Sequence, residues 1–337
     1  MTTKKPQTTS HKPHGKSGLA SLWAAVLLLV AAGCNPVPIE KVEMPILVAD
    51  YNVNAAKVPQ LWSRAKVEVT IPRDIGSFTW GSTSGLAANN GYLVLFKNGA
   101  AGPHDFVLIG KEGPEEIFRL GSSTGEDAYY LWFKAGDKSG AWIGRLNGAG
   151  TPRGGDMPFN PTEFLSVLGI VELPGSSAAR DVWMDKNPWH KEHYYVLTET
   201  FPTGKREMYF EWPMKLADPR PLRRVVMYDK ANRAVMTANL SNYQTIADAN
   251  GAQMPTDITI DWVGANGRTT TLALALSAMT AAPKAERSIV TLADHMPDIP
   301  PDKVNYVVGS GSARVVDIDL DPSHVNINVP TSRETHK

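Results

Sequence analysis

From residue 64 the chain alternates with a period of two. Ala65, Val67, Val69 and Ile71 are apolar, and Lys66, Glu68 and Thr70 between them are polar. That pattern predicts a strand with one face buried and one in water. Strand-like runs then recur at 92–97, 106–110, 117–120, 128–134 and 141–146. Turn residues separate them: Asn98-Gly99, Lys111-Glu112-Gly113, and the 136–140 stretch with a glycine at each end. A second series runs over 194–201, 207–212, 223–228, 233–242, 256–263 and 269–278, and Val315 to Leu320 adds a candidate edge strand. About 11 to 12 strands with meander spacing predict a mainly β (α+β) fold built on a large antiparallel sheet.

Two stretches switch to helical spacing. Tyr51, Ala55, Val58 and Trp62 fall on one face of a helix predicted over 49–62, with Pro59 kinking its last turn. Over 161–168 the signals are denser. Asn160 suits the cap, Pro161 the first turn and Glu163 the capping box, Phe164 and Leu168 stack at i and i+4, and Gly169 supplies the stop. Residues 296–337, with Pro297, Pro300, Pro301 and a Gly-Ser run, read as a loosely held tail.

The first 48 residues carry an address. Residues 1–17 hold Lys4, Lys5, Lys12 and Lys16 and no acid, and an apolar run of 14 residues follows over 19–32. A membrane span needs about 20 apolar residues, so the run fits a secretory signal instead. It ends in Ala31-Ala32-Gly33-Cys34, and Cys34 is the only cysteine. The pattern reads as a lipoprotein signal peptide over 1–33, with a lipobox whose first position holds Ala31 where Leu is commoner. Cys34 is then the expected site of a covalent diacylglycerol and fatty acyl (palmitate-type) modification. Two or three such chains give durable attachment to membrane lipid, at about 0.8 kcal/mol per buried methylene. Asn35, in place of Asp, favours the outer over the inner membrane by the sorting behaviour of known lipoproteins. Residues 34–48, with Pro36, Pro38 and Pro45, read as an extended tether. The domain beyond it, 49–295, must rely on core burial in an oxidising periplasmic compartment, because no thiol remains for a disulfide.

Without the leader's four lysines the chain keeps 30 Lys and Arg against 34 Asp and Glu. This slightly acidic balance argues against nucleic acid as a partner.

In strand order, the chain resembles the LolA/LolB lipoprotein-carrier superfamily, and more narrowly the uncharacterised envelope lipoproteins of that fold in planctomycete-like bacteria. The resemblance spans 49–292. It is carried by 61–69, 116–121, 130–133, 140–145, 223–229 and 238–243, and by Met254-Pro255-Thr256-Asp257-Ile258, where Leu-Pro-x-x-Ile is usual. It implies a strongly curved, unclosed antiparallel half-barrel with short helices plugging the open side. It also implies an apolar cavity that accepts acyl chains. On that expectation Phe96, Phe106, Phe133, Trp142, Phe210, Trp212 and Trp262 line the concave face or fill it, and Phe164 and Leu168 belong to a lid.

Chemical motifs are sparse. His190 and His193, near Asp185, have a spacing that suits zinc, but a third ligand is not evident, so no metal is assigned. Gly81-Ser-Thr-Ser-Gly85 has Thr where a nucleophile elbow needs Ser. Asp317, Asp319 and Asp321 are followed by Pro322 where a calcium loop wants Gly. Gly148-Ala-Gly150 and Arg153-Gly-Gly155 lack the Lys-Ser/Thr of a phosphate loop. Tyr130 and Trp132 share a strand face and read as core. The expectation is a non-enzymatic, periplasm-facing envelope lipoprotein without a dissociable cofactor. It would bind a lipid or lipoprotein acyl chain, or alternatively act as a filled scaffold that contacts other envelope proteins.

Overall fold

The computed structural model describes residues 43–71, 84–99, 104–135, 138–146, 161–173, 180–185, 193–212, 220–264, 267–295, 304–308 and 311–313. Cys34 with its leader, positions 81–83 of the elbow-like run, the 148–155 glycines, His190 and the 317–321 aspartates lie outside them.

Helix α1 spans Met44–Ala56 and helix α2 Pro161–Val167. Fifteen strands are described, numbered in chain order. β1 is Gln60–Ile71, β2 Ser84–Lys97, β3 His104–Glu112, β4 Glu115–Ser123, β5 Ala128–Ala135, β6 Lys138–Arg145, β7 Arg180–Asp185 and β8 Tyr194–Phe201. β9 is Gly204–Glu211, β10 Leu222–Asp229, β11 Ala234–Thr245, β12 Gln253–Val263, β13 Thr269–Thr280, β14 Val304–Val308 and β15 Gly311–Ala313. They form one sheet in the order β15-β14-β6-β5-β4-β3-β2-β1-β13-β12-β11-β10-β9-β8-β7. Among the described residues the sheet is open, with β15 and β7 at its edges. Every pairing between these strands is antiparallel except β14 on β6.

The sheet is open but not strongly curled, so the expected strongly curved half-barrel is not what forms, and three further expectations change. The first helix runs over 44–56 rather than 49–62. It takes in the end of the expected tether, because Pro45 is tolerated in a first turn. Pro59 disfavours helix at Val58, and the chain is extended again from Gln60, so Trp62 lies on a strand. The count rises from about 11 strands to 15 among the described residues. Arg180–Asp185, read as a charged connection, is a strand, and 304–308 and 311–313, read as tail, add two more.

Each face of the sheet is buried where an element covers it. β1 alternates buried and exposed along its length, since Lys66, Glu68 and Thr70 meet water. β3 is buried continuously from His104 to Gly110 because both of its faces are covered. One face, here the roofed face, carries Leu61, Ala65, Val67 and Val69 of β1. Leu93, Leu108 and Leu120, in register with Ser63, and Leu274 and Ile258, in register with Val67, continue this face on the neighbouring strands. The opposite, strapped face carries Val94, Phe96, Val107, Ile109, Tyr130, Trp132, Ala141 and Ile143, covered by the 285–295 segment through Val290 and Leu292.

The strap contains two 3-10 turns, Arg287–Val290 and Ala293–His295. Side chains of the sheet hold it by its backbone. Arg119 Nη1 donates to the Ile289 carbonyl at 2.8 Å, and the Tyr130 hydroxyl donates to the Val290 carbonyl at 2.8 Å. The Glu126 carboxylate accepts from the N–H groups of Leu292 and Ala293 at 2.7 and 3.0 Å. Gly144 lets strands β5 and β6 carry a large ring, since a Cβ there would stand 2.1 Å from the Tyr129 ring.

Candidate functional site: the roofed face

Helices α1 and α2 and the 168–173 segment cover the roofed face. α1 buries Leu47, Val48, Tyr51 and Ala55. Its two asparagines are pinned to backbone on either side. Asn52 donates to the Leu173 carbonyl at 2.9 Å and accepts from the Leu173 N–H at 2.8 Å. Asn54 makes the same two-way contact with Gln253, at 2.9 Å each way. An asparagine side chain presents the donor and acceptor of a peptide group, so it can pair with a chain segment as a strand would.

α2 is stopped by Gly169, whose φ is 73°, as the sequence predicts. Phe164 stacks on Phe106 of β3, with ring centroids 5.2 Å apart. The preceding residue, Glu163, accepts a hydrogen bond from Trp262 Nε1 of β12 at 3.2 Å. Both lid candidates, Phe164 and Leu168, are fully buried.

Of the expected lining residues, Phe106, Phe133, Trp142, Phe210 and Trp262 lie on the roofed face. Phe133 is tilted against Trp142 with centroids 5.5 Å apart, and Phe210 takes the edge of Tyr51 at 5.9 Å. Phe96 is on the strapped face with Val94 and Val290. Its neighbour Leu95, not Phe96, pairs with Phe106, so alternation sends Phe96 the other way. Trp212 follows the end of β9, half-buried, between His193 and Tyr195. The five roofed-face aromatics are buried, Trp262 least so at 7% exposure and Phe106 completely. Where the structure is described, the chain's own side chains fill this space.

The polar groups at the α1 end of the face carry no sequence motif. Glu199 of β8 and Arg206 of β9 face each other in register and form a nearly buried ion pair. Tyr51 lies close enough to feel both charges, and burial pushes its hydroxyl well above the ordinary phenol range. Among the described residues that hydroxyl has no hydrogen-bond partner. The available sequence signal was positional. Glu199 continues the inward series Tyr195, Leu197, and Arg206 begins the series Met208, Phe210, so both charges sit at apolar register positions.

His104 starts β3 beside the Lys97–Glu172 ion pair, whose Nζ–Oε1 distance is 2.9 Å. Burial, then Lys97, hold its imidazole below its ordinary value, while the Val58 carbonyl, Glu172 and Asp105 pull the other way. A histidine with a lowered folded-state pKa is protonated more readily when unfolded. Its neutral form therefore sets full stability above about pH 6.5, and stability falls as the pH drops through that value. His295, lowered by burial and Arg119, adds to the same trend. Urea midpoints at pH 7.5 and 5.5 are expected to diverge in the wild type. His104→Gln should remove part, not all, of the difference, and an unchanged difference would exclude His104 as a source.

On the strapped side a groove of about 570 Å³ opens, lined by Trp62, Tyr92, Lys284, Ala285, Glu286, Ser288, Ile289 and His295. The Trp62 and Tyr92 rings are 5.7 Å apart, and Lys284 Nζ stands 4.7 Å over the Trp62 ring. Among the described residues no three His, Cys, Asp or Glu gather in a way that would hold a metal ion. Among the same residues no helix is long and apolar enough to cross a membrane.

No family model and no curated protein matches the sequence. Among solved structures, the chain is similar to a DUF1329 family protein from Desulfovibrio piger, with 12% identity and a TM-score of 0.43 over 75% of this chain and 99% of that one. It is similar to a LolA superfamily protein from Nitrosomonas europaea, with 12% identity and a TM-score of 0.40 over 72% and 97%. It is also similar to an outer membrane lipoprotein-sorting protein domain from Vibrio parahaemolyticus, with 12% identity and a TM-score of 0.41 over 72% and 95%. At 12% identity the likeness does not reach individual side chains.

Proposed function

We propose that this chain is a lipid-anchored protein of the cell envelope, held by acyl groups on Cys34, that takes up an acyl chain between its roof and its roofed face. The observation behind this reading is the 161–173 segment. It places Phe164, Val167, Leu168, Ile170 and Leu173 on the apolar face, all buried, yet contains only a seven-residue helix. Five such side chains leaving the interior cost about 1.5–3 kcal/mol each, on the order of 10 kcal/mol together. An acyl chain of about fifteen methylenes recovers about 0.8 kcal/mol per group, again on the order of 10 kcal/mol. The exchange of segment for ligand is therefore near balance, which suits uptake and release without a covalent step.

The short helix α2 also reaches both halves of the roofed face. Phe106 and Trp262 lie on strands four positions apart, about 19 Å along a flat sheet at ~4.8 Å per strand. They nevertheless meet adjacent residues, Phe164 and Glu163.

The filled interior favours a second reading, a scaffold that carries nothing and docks partners through the Trp62–Tyr92 groove. Native mass spectrometry of the full chain extracted from membranes separates the two. Carriage predicts a lipid mass held non-covalently beyond any covalent adduct. A wild-type chain carrying only the covalent adduct, and showing no saturable uptake of added monoacylglycerol, would overturn carriage and leave the scaffold.

A further inference from the structure

We propose that the outward face of α1, carrying Ile46, Ala49 and Val53, lies on the surface of the bilayer that holds the acyl groups of Cys34. This rests on the anchor of the reading above, and not on the uptake of an acyl chain.

Helix α1 is apolar on both of its sides. The inward side buries Leu47, Val48, Tyr51 and Ala55. The outward side exposes Ile46, Ala49, Asp50, Val53 and Ala56. Among the described residues four large apolar side chains are exposed, and α1 holds two of them, Ile46 at 50% and Val53 at 59%. Spaced i and i+7, these two stand in line along the helix, about 10 Å apart, with Ala49 between them. A helix that is apolar all round is ordinarily covered all round. Here one side packs on the sheet, and the other shows water an apolar stripe where a surface helix carries charge.

The charges beside the stripe set the kind of contact. Asp50 is its one charged group, and it is paired with Arg220. Glu43 before the helix and Lys57 after it offset each other. No row of lysines is there to meet anionic headgroups. The contact is therefore shallow apolar insertion at headgroup level, not electrostatic attraction.

The length of the tether names the occupant. Residues 35–43 alone separate Cys34 from the first residue of α1. Even fully stretched, that length of chain reaches about 36 Å. Two half-exposed side chains would not hold a free protein on a membrane. On so short a tether the bilayer is present at an effective concentration in the millimolar range, and a weak contact becomes populated. A partner protein would have to displace a surface that is always within reach. Docking turns the roof to the lipid side, and with it the Leu173 peptide that Asn52 holds.

The test uses the full acylated chain in phosphatidylcholine vesicles, with and without phosphatidylglycerol. Acylation of Cys34 leaves no thiol, so Ala49→Cys supplies a single site for an environment-sensitive dye. Lys66→Cys, exposed on the opposite face of the sheet, is the control. Lipids with a nitroxide near the headgroup quench a dye at the interface. The dye at position 49 is expected to be quenched several-fold more than the dye at position 66, alike in both vesicle types and at high salt. Ile46→Gln with Val53→Gln alters exposed positions only, so the melting temperature should hold. The ratio of docked to undocked chain should fall about tenfold, the worth of two half-exposed aliphatic side chains. Equal quenching at the two positions, on vesicles that carry the chain, would overturn docking and leave the anchor standing. Quenching that needs phosphatidylglycerol or vanishes in salt would overturn the apolar contact. Energy transfer between dyes at position 49, without quenching by lipid, would give the stripe to a second copy of the chain and overturn docking too. A chain that fails to float with the vesicles would overturn the anchor, and docking with it.

Discussion

Arg119→Ala is expected to lower the free energy of unfolding by about 2–4 kcal/mol, from the loss of a half-buried ion pair, of the bond to the Ile289 carbonyl and of the packing of a buried side chain. Arg119 is 1% exposed although it is a guanidinium. Its Nε donates to Glu116 Oε1 at 2.5 Å, its Nη2 to Oε2 at 3.3 Å, and its Nη1 to the Ile289 carbonyl. Truncation strands the Glu116 carboxylate and the carbonyl, and it releases the first turn of the strap from β4. Val290 and Leu292 would then expose the apolar surface of β3 to β6 that they cover. Chemical denaturation monitored by tryptophan fluorescence reads the loss. A change within about 1 kcal/mol would mean that the strap stays in place without the guanidinium. Arg119→Lys should recover only part of the loss, because an ammonium cannot reproduce the forked contact.

Phe106→Ala is expected to cost a similar amount, about 3–5 kcal/mol, by opening a cavity in the sheet interior. Phe106 is fully buried on β3 and underlies Phe164. Phe164→Ala removes the other ring of the pair, but from the segment expected to leave. Its effect should appear less in global unfolding than in local opening, as faster amide exchange over 161–173 while β3 stays protected. Equal global losses for the two variants, with no local change in exchange, would make the segment an integral part of the core.

Much of this architecture could be read from the pattern of side chains. The alternation in β1 shows because only one of its faces is covered, and the helix at 161–167 shows because its start and stop are written in Pro161 and Gly169. The helical period puts the first helix too late because its apolar residues continue, in step, into a strand that begins at Gln60. Trp62 fits both periods, and only Pro59 marks the boundary. β7 and β14 were hidden for another reason. β7 is a short strand that takes its place by pairing with the next strand β8, and β14 gains its place by a non-local pairing with β6, and both leave little trace in a short stretch. Phe96 shows the limit of reading aromatics as a class, since one step of register sends a ring to the other side. The polar head of the roofed face was least legible. Asn52 and Arg206 are common residues, and it is the backbone and the carboxylate they meet, 121 and 7 positions away, that give them meaning.

The two outermost strands have a bearing on how the molecule survives in crowded surroundings. A sheet of fifteen strands that does not close has two raw margins, each able to template another copy by strand addition. Among the described residues one margin is the three-residue β15 and the other the six-residue β7. Margins that short offer a visiting strand few backbone partners, so polymerisation into fibres is discouraged at both ends of a sheet that otherwise invites it.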